Sequence, residues 1–171
     1  MEKGRLEAFS DGVFAIIITI MVLDLKIPSD GNWTAIMNDA WMSTFLAYLV
    51  SFIITASFWV SHHLIISNLK KVDSGLLWIN VLTLLPMSLV PITTAWFGEF
   101  PNSVAPSVTY GLVYVLSVGA LFNLSHIVSK HLANPVVQKR MRRVNRSRIG
   151  LIAIGLVGTG LAFIWPPVTG G

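Results

Sequence analysis

Ser10 and Asp11 lie side by side in "RLEAFSDGVFAIIITIMVLDL", residues 5–25, a mostly apolar stretch that also carries Arg5 and Glu7. A charged group in or beside hydrocarbon costs roughly 2.5–3.5 kcal/mol on insertion scales, so such residues need partners or a task. Other apolar stretches carry His62, His63, Asn80, Asn123, Ser125 and His126. These side-chain types offer three chemistries: a proton relay, a metal site, or a nucleophile–base pair. The relay would run through Asp11, His62, His63 and His126, since histidine titrates near neutral pH. The metal reading fails on spacing: His62 and His63 diverge by about 100° on a helix, and no HExxH-type pattern occurs. Ser125 and His126 diverge in the same way, and no second carboxylate joins Asp11 at its depth, which leaves enzyme chemistry without its parts. The chain has no cysteine, so disulfides, thiolate metal sites and a cysteine nucleophile are excluded. Neither an enzyme nor a cofactor is expected. A carboxylate at Asp11 would find donors in histidine, asparagine or the indoles of Trp59 and Trp78. Ser10 and Asp11 also suit the cap of a helix starting at Gly12.

The elements that hold these residues are membrane spans. The 171 residues are 54% hydrophobic and 12% charged, against about 25% charged in a soluble domain. The expected fold is an all-α membrane protein, a multi-span helical bundle in one transmembrane domain over residues 1–171. Crossing about 30 Å of hydrocarbon takes roughly 20 helical residues. Five segments qualify, at approximately 6–27, 40–67, 75–97, 105–129 and 148–165, with a basic loop over 130–148. Pro86 and Pro91 predict a kink in the third, with Ser88, Thr93 and Thr94 close enough to cover freed carbonyls. Read antiparallel, four of these helices bring Ser10, Asp11, His62, Asn80, Asn123, Ser125 and His126 to one level.

Lys3, Arg5, Lys70, Lys71, Lys130, Lys139, Arg140, Arg142, Arg143, Arg146 and Arg148 fall at one end of the bundle, and Lys26 alone at the other. This asymmetry predicts a multi-pass protein of the cell membrane with a cytoplasmic N-terminus, and Trp33, Trp41, Trp96 and Trp165 mark the opposite interface. Residues 1–27 begin like a signal peptide, but Glu7, Asp11 and the lack of a small-x-small site before "DLKIPSDG" argue for a retained span. Directly abutting a span, "QKRMRRVNRSR" reads as a topology anchor or a contact for anionic lipid at Lys139–Arg148, with no nucleic-acid partner expected. On a helical wheel Ile16, Ile20 and Leu23, with Thr19 at their edge, form one stripe, and Asp11 points nearly opposite.

The RxxxFSD pattern of Arg5, Phe9, Ser10 and Asp11, at the start of a first span, resembles the signature of the transmembrane protein 175 family. That family comprises the lysosomal potassium channels and their prokaryotic relatives; this short chain resembles a single-repeat prokaryotic member. The resemblance implies a homotetrameric, potassium-selective channel without the usual carbonyl filter, and no TVGYG occurs here. It implies a hydrophobic constriction on the first helix, beginning five residues after the motif aspartate: Ile16, then Thr19, Ile20 and Leu23. It casts Arg5, Phe9, Ser10, Asp11, His62 and Asn80 as a network anchoring that helix to its neighbours. Asp24, Asp30, Asp39 and Glu99, repeated fourfold, would then attract cations to the outer mouth. The family repeat has six spans and five are visible; Pro166-Pro167 before Thr-Gly-Gly reads as the start of a further connection. Gly150, Ala153, Gly155, Gly158, Gly160 and Ala162 offer a small-residue surface for a neighbouring helix. The competing expectation is a proton-conducting or proton-coupled carrier using the histidine relay.

Overall fold

The computed structural model describes residues 3–69, 71–130, 132 and 134–165; Lys70 and the expected turn at Pro166-Pro167 lie outside them. The described residues form six helices and one 3-10 turn, without strands. These are α1 (Lys3–Leu23), the turn Trp33–Ala35, α2 (Asp39–Ile66), α3 (Ser74–Ser88), α4 (Val90–Glu99), α5 (Val104–Lys130) and α6 (Pro135–Leu161). Starts are written in the sequence as side-chain caps, each covering an otherwise unpaired amide of the first turn. The side chain of Asn38 accepts from the Trp41 amide, that of Asp73 from Leu76, and that of Asn134 from Val136.

α1, α2, the α3–α4 pair and α5 are each long and apolar enough to cross a membrane, which makes this a multi-pass membrane protein. The expected kink in the third span is a break at Leu89. Prolines at 86 and 91 each remove a backbone donor. Ser88 Oγ donates to the Leu85 carbonyl and Thr93 Oγ1 to those of Leu89 and Val90. Thr94 turns instead to Ser51 Oγ, which also pairs with the Tyr110 hydroxyl.

α6 departs from expectation. Residues 135–148, expected as part of a loop, are its first half. Asn134 caps the helix, Pro135 occupies its first turn, and the following Gln, Lys, Arg and Met residues are strong helix formers. The apolar part beyond Arg148 is about 20 Å of helix, short of the hydrocarbon thickness. Of its small residues, Gly155 approaches Tyr114 and Val115 of α5 and Ala162 is buried, whereas Gly150, Ala153 and Gly160 stay exposed.

α1 packs against α2, α3 and α4, and α6 lies along α5. Phe14, Ile17 and Met21 of α1 share one apolar core with Phe58 and Ile65 of α2, Leu84 and Met87 of α3, and Leu121 and Leu124 of α5. Gly98 lets α4 approach α2 closely: a Cβ there would stand 2.9 Å from Thr44 Cα.

Candidate functional site

α1 has two faces. Leu6, Ser10, Phe14, Ile17 and Met21 are buried, at i, i+4, i+8, i+11 and i+15. Around the other side Arg5, Ala8, Phe9, Gly12, Ala15, Ile16, Thr19, Ile20 and Leu23 are all exposed. Ile16 is 58% and Leu23 79% exposed, while Ile17 between them is 4% exposed.

The buried face is tied down by polar bonds at the basic end of the bundle. His62 Nε2 donates to Asn80 Oδ1 at 2.7 Å, Asn80 Nδ2 donates to Ser10 Oγ at 3.0 Å, and Ser10 Oγ donates to the Leu6 carbonyl at 2.9 Å. Each donor faces an acceptor, and this order fixes the His62 proton on Nε2. Ser10 and Asn80 are completely buried and His62 nearly so. The His62 ring also lies against Phe14, with centroids 5.5 Å apart. One residue along, Trp59 Nε1 donates to Asp11 Oδ1 at 2.8 Å. α1 is thereby bonded once to α2, through Asp11 and Trp59, and once to α3, through Ser10 and Asn80, while His62 ties α2 to α3. Capping is excluded as the task of Ser10 and Asp11, because α1 begins at Lys3.

Other residues singled out from the sequence stand apart. Arg5 and Phe9 fall outside the network: at 100° per residue both project within about 20° of Ile16, on the exposed face. His63 is exposed and packs on Trp59, His126 is exposed and stacks on Phe122, and Asn123 is exposed. Trp78 is 70% exposed, and Trp59 is the indole that reaches Asp11. Among the described residues the histidines make no hydrogen-bonded relay with Asp11, and no group of acids and histidines is arranged to hold a metal.

At the far end Lys26 Nζ meets Glu99 at 2.6 Å, which compensates the Glu99 charge. The Trp41 indole donates to the Lys26 carbonyl at 2.9 Å, and the Asn32 amide donates to Asp30. Asp24 and Asp39 are exposed. Thr19 Oγ1 donates to the carbonyls of Ala15 and Ile16, at 2.8 and 3.1 Å, so its hydrogen points into the helix and its lone pairs point away. The sequence offered histidine, asparagine and the indoles of Trp59 and Trp78 as donors to Asp11 without choosing among them; the bond is made by Trp59, 48 residues away, a separation that carries no local signal.

A family model described as "Endosomal/lysosomal potassium channel TMEM175" matches residues 5–91, the segment from the motif arginine to the first turn of α4. The chain belongs to the TMEM175 family. A potassium channel of Streptomyces collinus is 39% identical over 98% of this chain and 86% of its own length. A potassium channel of Chryseobacterium sp. P1-3 is 44% identical over 75% of this chain, which spans 66% of that relative. The mouse endosomal/lysosomal proton channel TMEM175 is 30% identical over 60% of this chain, matched to 23% of its length. The crystal structure of a lysosomal potassium-selective channel TMEM175 homolog from Chamaesiphon minutus superposes with a TM-score of 0.80 at 27% identity, covering 98% of this chain and 90% of that one. TMEM175 proteins form an ion-channel family, not an enzyme class, and the all-helical fold is shared with that structure.

Proposed function

We propose that this chain forms a homotetrameric, potassium-selective cation channel of the cell membrane, N-terminus cytoplasmic, with α1 lining the pore. The observation that carries the reading is the division of α1. One face is locked to α2 and α3 by the Ser10–Asn80–His62 chain and the Asp11–Trp59 bond, while the face bearing Ile16, Thr19, Ile20 and Leu23 is left exposed among the described residues. The names of the bacterial relatives support potassium as the permeant ion. Four aliphatic rings narrow a pore and repel water, so an ion passing them sheds part of its hydration shell. That step favours potassium, the less strongly hydrated ion, over sodium. Thr19 oxygens, with their hydrogens turned to the backbone, supply ligands at that level. Asp24, Asp30 and Asp39 raise the cation concentration at the outer mouth; Glu99, held by Lys26, contributes less.

The test is flux from proteoliposomes loaded with potassium and bathed in sodium, with a proton ionophore and a pH-sensitive dye. Proton uptake under the potassium gradient, absent when the ions are exchanged for a sodium gradient, is the expected result. Equal uptake under both would sink the selectivity, and none under either would sink the conductance. A second reading, proton conduction, is favoured by the names of the vertebrate relatives. It requires acidification of the liposomes by a pH gradient without the ionophore.

A further inference from the structure

Arg148 stands where α6 passes from its basic half to its apolar half, and its side chain is buried at 5% exposure. Its only hydrogen bond among the described residues runs from Nη1 to Asn145 Oδ1, at 2.6 Å. A guanidinium carries five N–H donors, and a buried cation without a counter-charge is strongly unfavourable. The surroundings provide none: α5 and α6 contain no Asp or Glu, and the acid of α2, Asp39, lies at the far end of that helix. Arg148 lines a cavity of about 140 Å³ between α2, α5 and α6, together with Ser61, Ser125, Arg140, Met141 and Val144. The Ser125 hydroxyl is fully buried there and has no hydrogen-bond partner among the described residues. One cavity thus holds a buried guanidinium with a single neutral acceptor, a second arginine at its rim and an orphaned hydroxyl, and no carboxylate lines it. Lys139, Arg142, Arg143 and Arg146 surround a separate open basic surface on the same half of α6 and would draw anions towards it.

We propose that this cavity binds a phosphate-class oxyanion, received by Arg148, Arg140 and Ser125, with the phosphodiester of an anionic phospholipid as the occupant its interfacial position favours. The anion supplies the counter-charge that the protein omits and ties α6 to α2 and α5. The site stands independently of whether the chain conducts.

The test is thermal unfolding of the full chain in detergent at fixed ionic strength, with three additions in turn: dioleoylphosphatidylglycerol, dioleoylphosphatidylcholine and inorganic phosphate. Phosphatidylglycerol is expected to raise the Tm by several degrees and phosphatidylcholine to leave it unmoved. A rise with inorganic phosphate alone upholds the oxyanion site and assigns it to a soluble ion. Arg148→Gln should abolish the response, and Arg143→Gln, on the open surface, should keep it. Arg140→Gln, at the exposed rim, should weaken it without risk to folding. An undiminished response in both Arg148→Gln and Arg140→Gln, or no response to either phosphate source in the unaltered chain, would overturn the proposal.

Discussion

Asn80 joins His62 to Ser10, accepting from the one and donating to the other, and both of its partners are buried. Truncating one member of a buried pair leaves the other unsatisfied, at about 1–3 kcal/mol for each group. Asn80→Ala should therefore lower the Tm by more than Ser10→Ala, whose loss strands one donor. Asp11 allows a finer distinction, because Trp59 needs only an acceptor: Asp11→Asn should retain most of the stability that Asp11→Ala loses, measured by the same unfolding curves. Equal losses in the two variants would mean that charge, not the indole bond, holds the root of α1. The ion pair at the far end predicts a different readout. Lys26→Gln removes the positive partner of Glu99 and should raise single-channel potassium conductance at low ionic strength, with Glu99→Gln lowering it. Both differences should fade in high salt, where the Debye length shrinks to about 3 Å. An exposed pair of this kind contributes little to stability, about 0–1 kcal/mol, so neither variant should move the Tm appreciably.

The helix is the scale at which the sequence was most legible and also where it misled. Hydropathy placed α1, α2 and α5 to within a few residues, and the helical wheel separated Ile16, Ile20 and Leu23 from Asp11. Periodicity could not say which face of α1 lacks a partner, because apolar residues on a lipid-bathed bundle point both inwards and outwards. The polar anchor lay beyond its reach for a related reason: Ser10, Asn80 and His62 meet through contacts spanning up to 70 residues. Arg5 and Phe9 share a motif with Ser10 and Asp11 but not a face, since helical rotation separates neighbours in sequence. The basic half of α6 was read as a loop because charge density masks helix propensity in a hydropathy pattern. The two faces of α1 make a direct prediction. Ile16→Asn, on the open face, should raise conductance and weaken discrimination against sodium while leaving the Tm within a degree or two. Ile17→Asn, one residue away and buried among α2 and α3, should destabilise the fold severely, because it places an unsatisfied amide in a packed core. If Ile16→Asn unfolds the protein and Ile17→Asn does not, the assignment of the two faces is reversed.

At the scale of the whole molecule, the protomer anchors one face of α1 and leaves the opposite stripe uncovered, and lipid could cover that stripe as readily as another chain. Lipid tails are as apolar as leucine, so exposure alone gives helices no drive to associate in a bilayer. Close approach of small residues does provide contact, and the inner half of the stripe carries Ala8, Gly12 and Ala15 before Ile16, Ile20 and Leu23 begin. A Cβ at Gly12 would meet nothing within 4 Å inside the protomer, so no internal packing requires glycine there. Four α1 helices around an axis would leave a wider vestibule at the small residues and narrow it at the aliphatic ones. The absence of cysteine from the chain makes this arrangement open to a clean test. Leu23→Cys places a thiol at the narrow end, and disulfide closure requires the two Cα atoms to come within about 7 Å. Mild oxidation in membranes should convert most of that variant to covalent dimers, as paired neighbours within a tetramer, and reduction should restore both monomer and flux. Ile17→Cys, enclosed in the protomer core, should give none. Monomer alone from Leu23→Cys, with the unaltered protein still tetrameric by size, would mean that another helix lines the axis and that the stripe of α1 faces lipid.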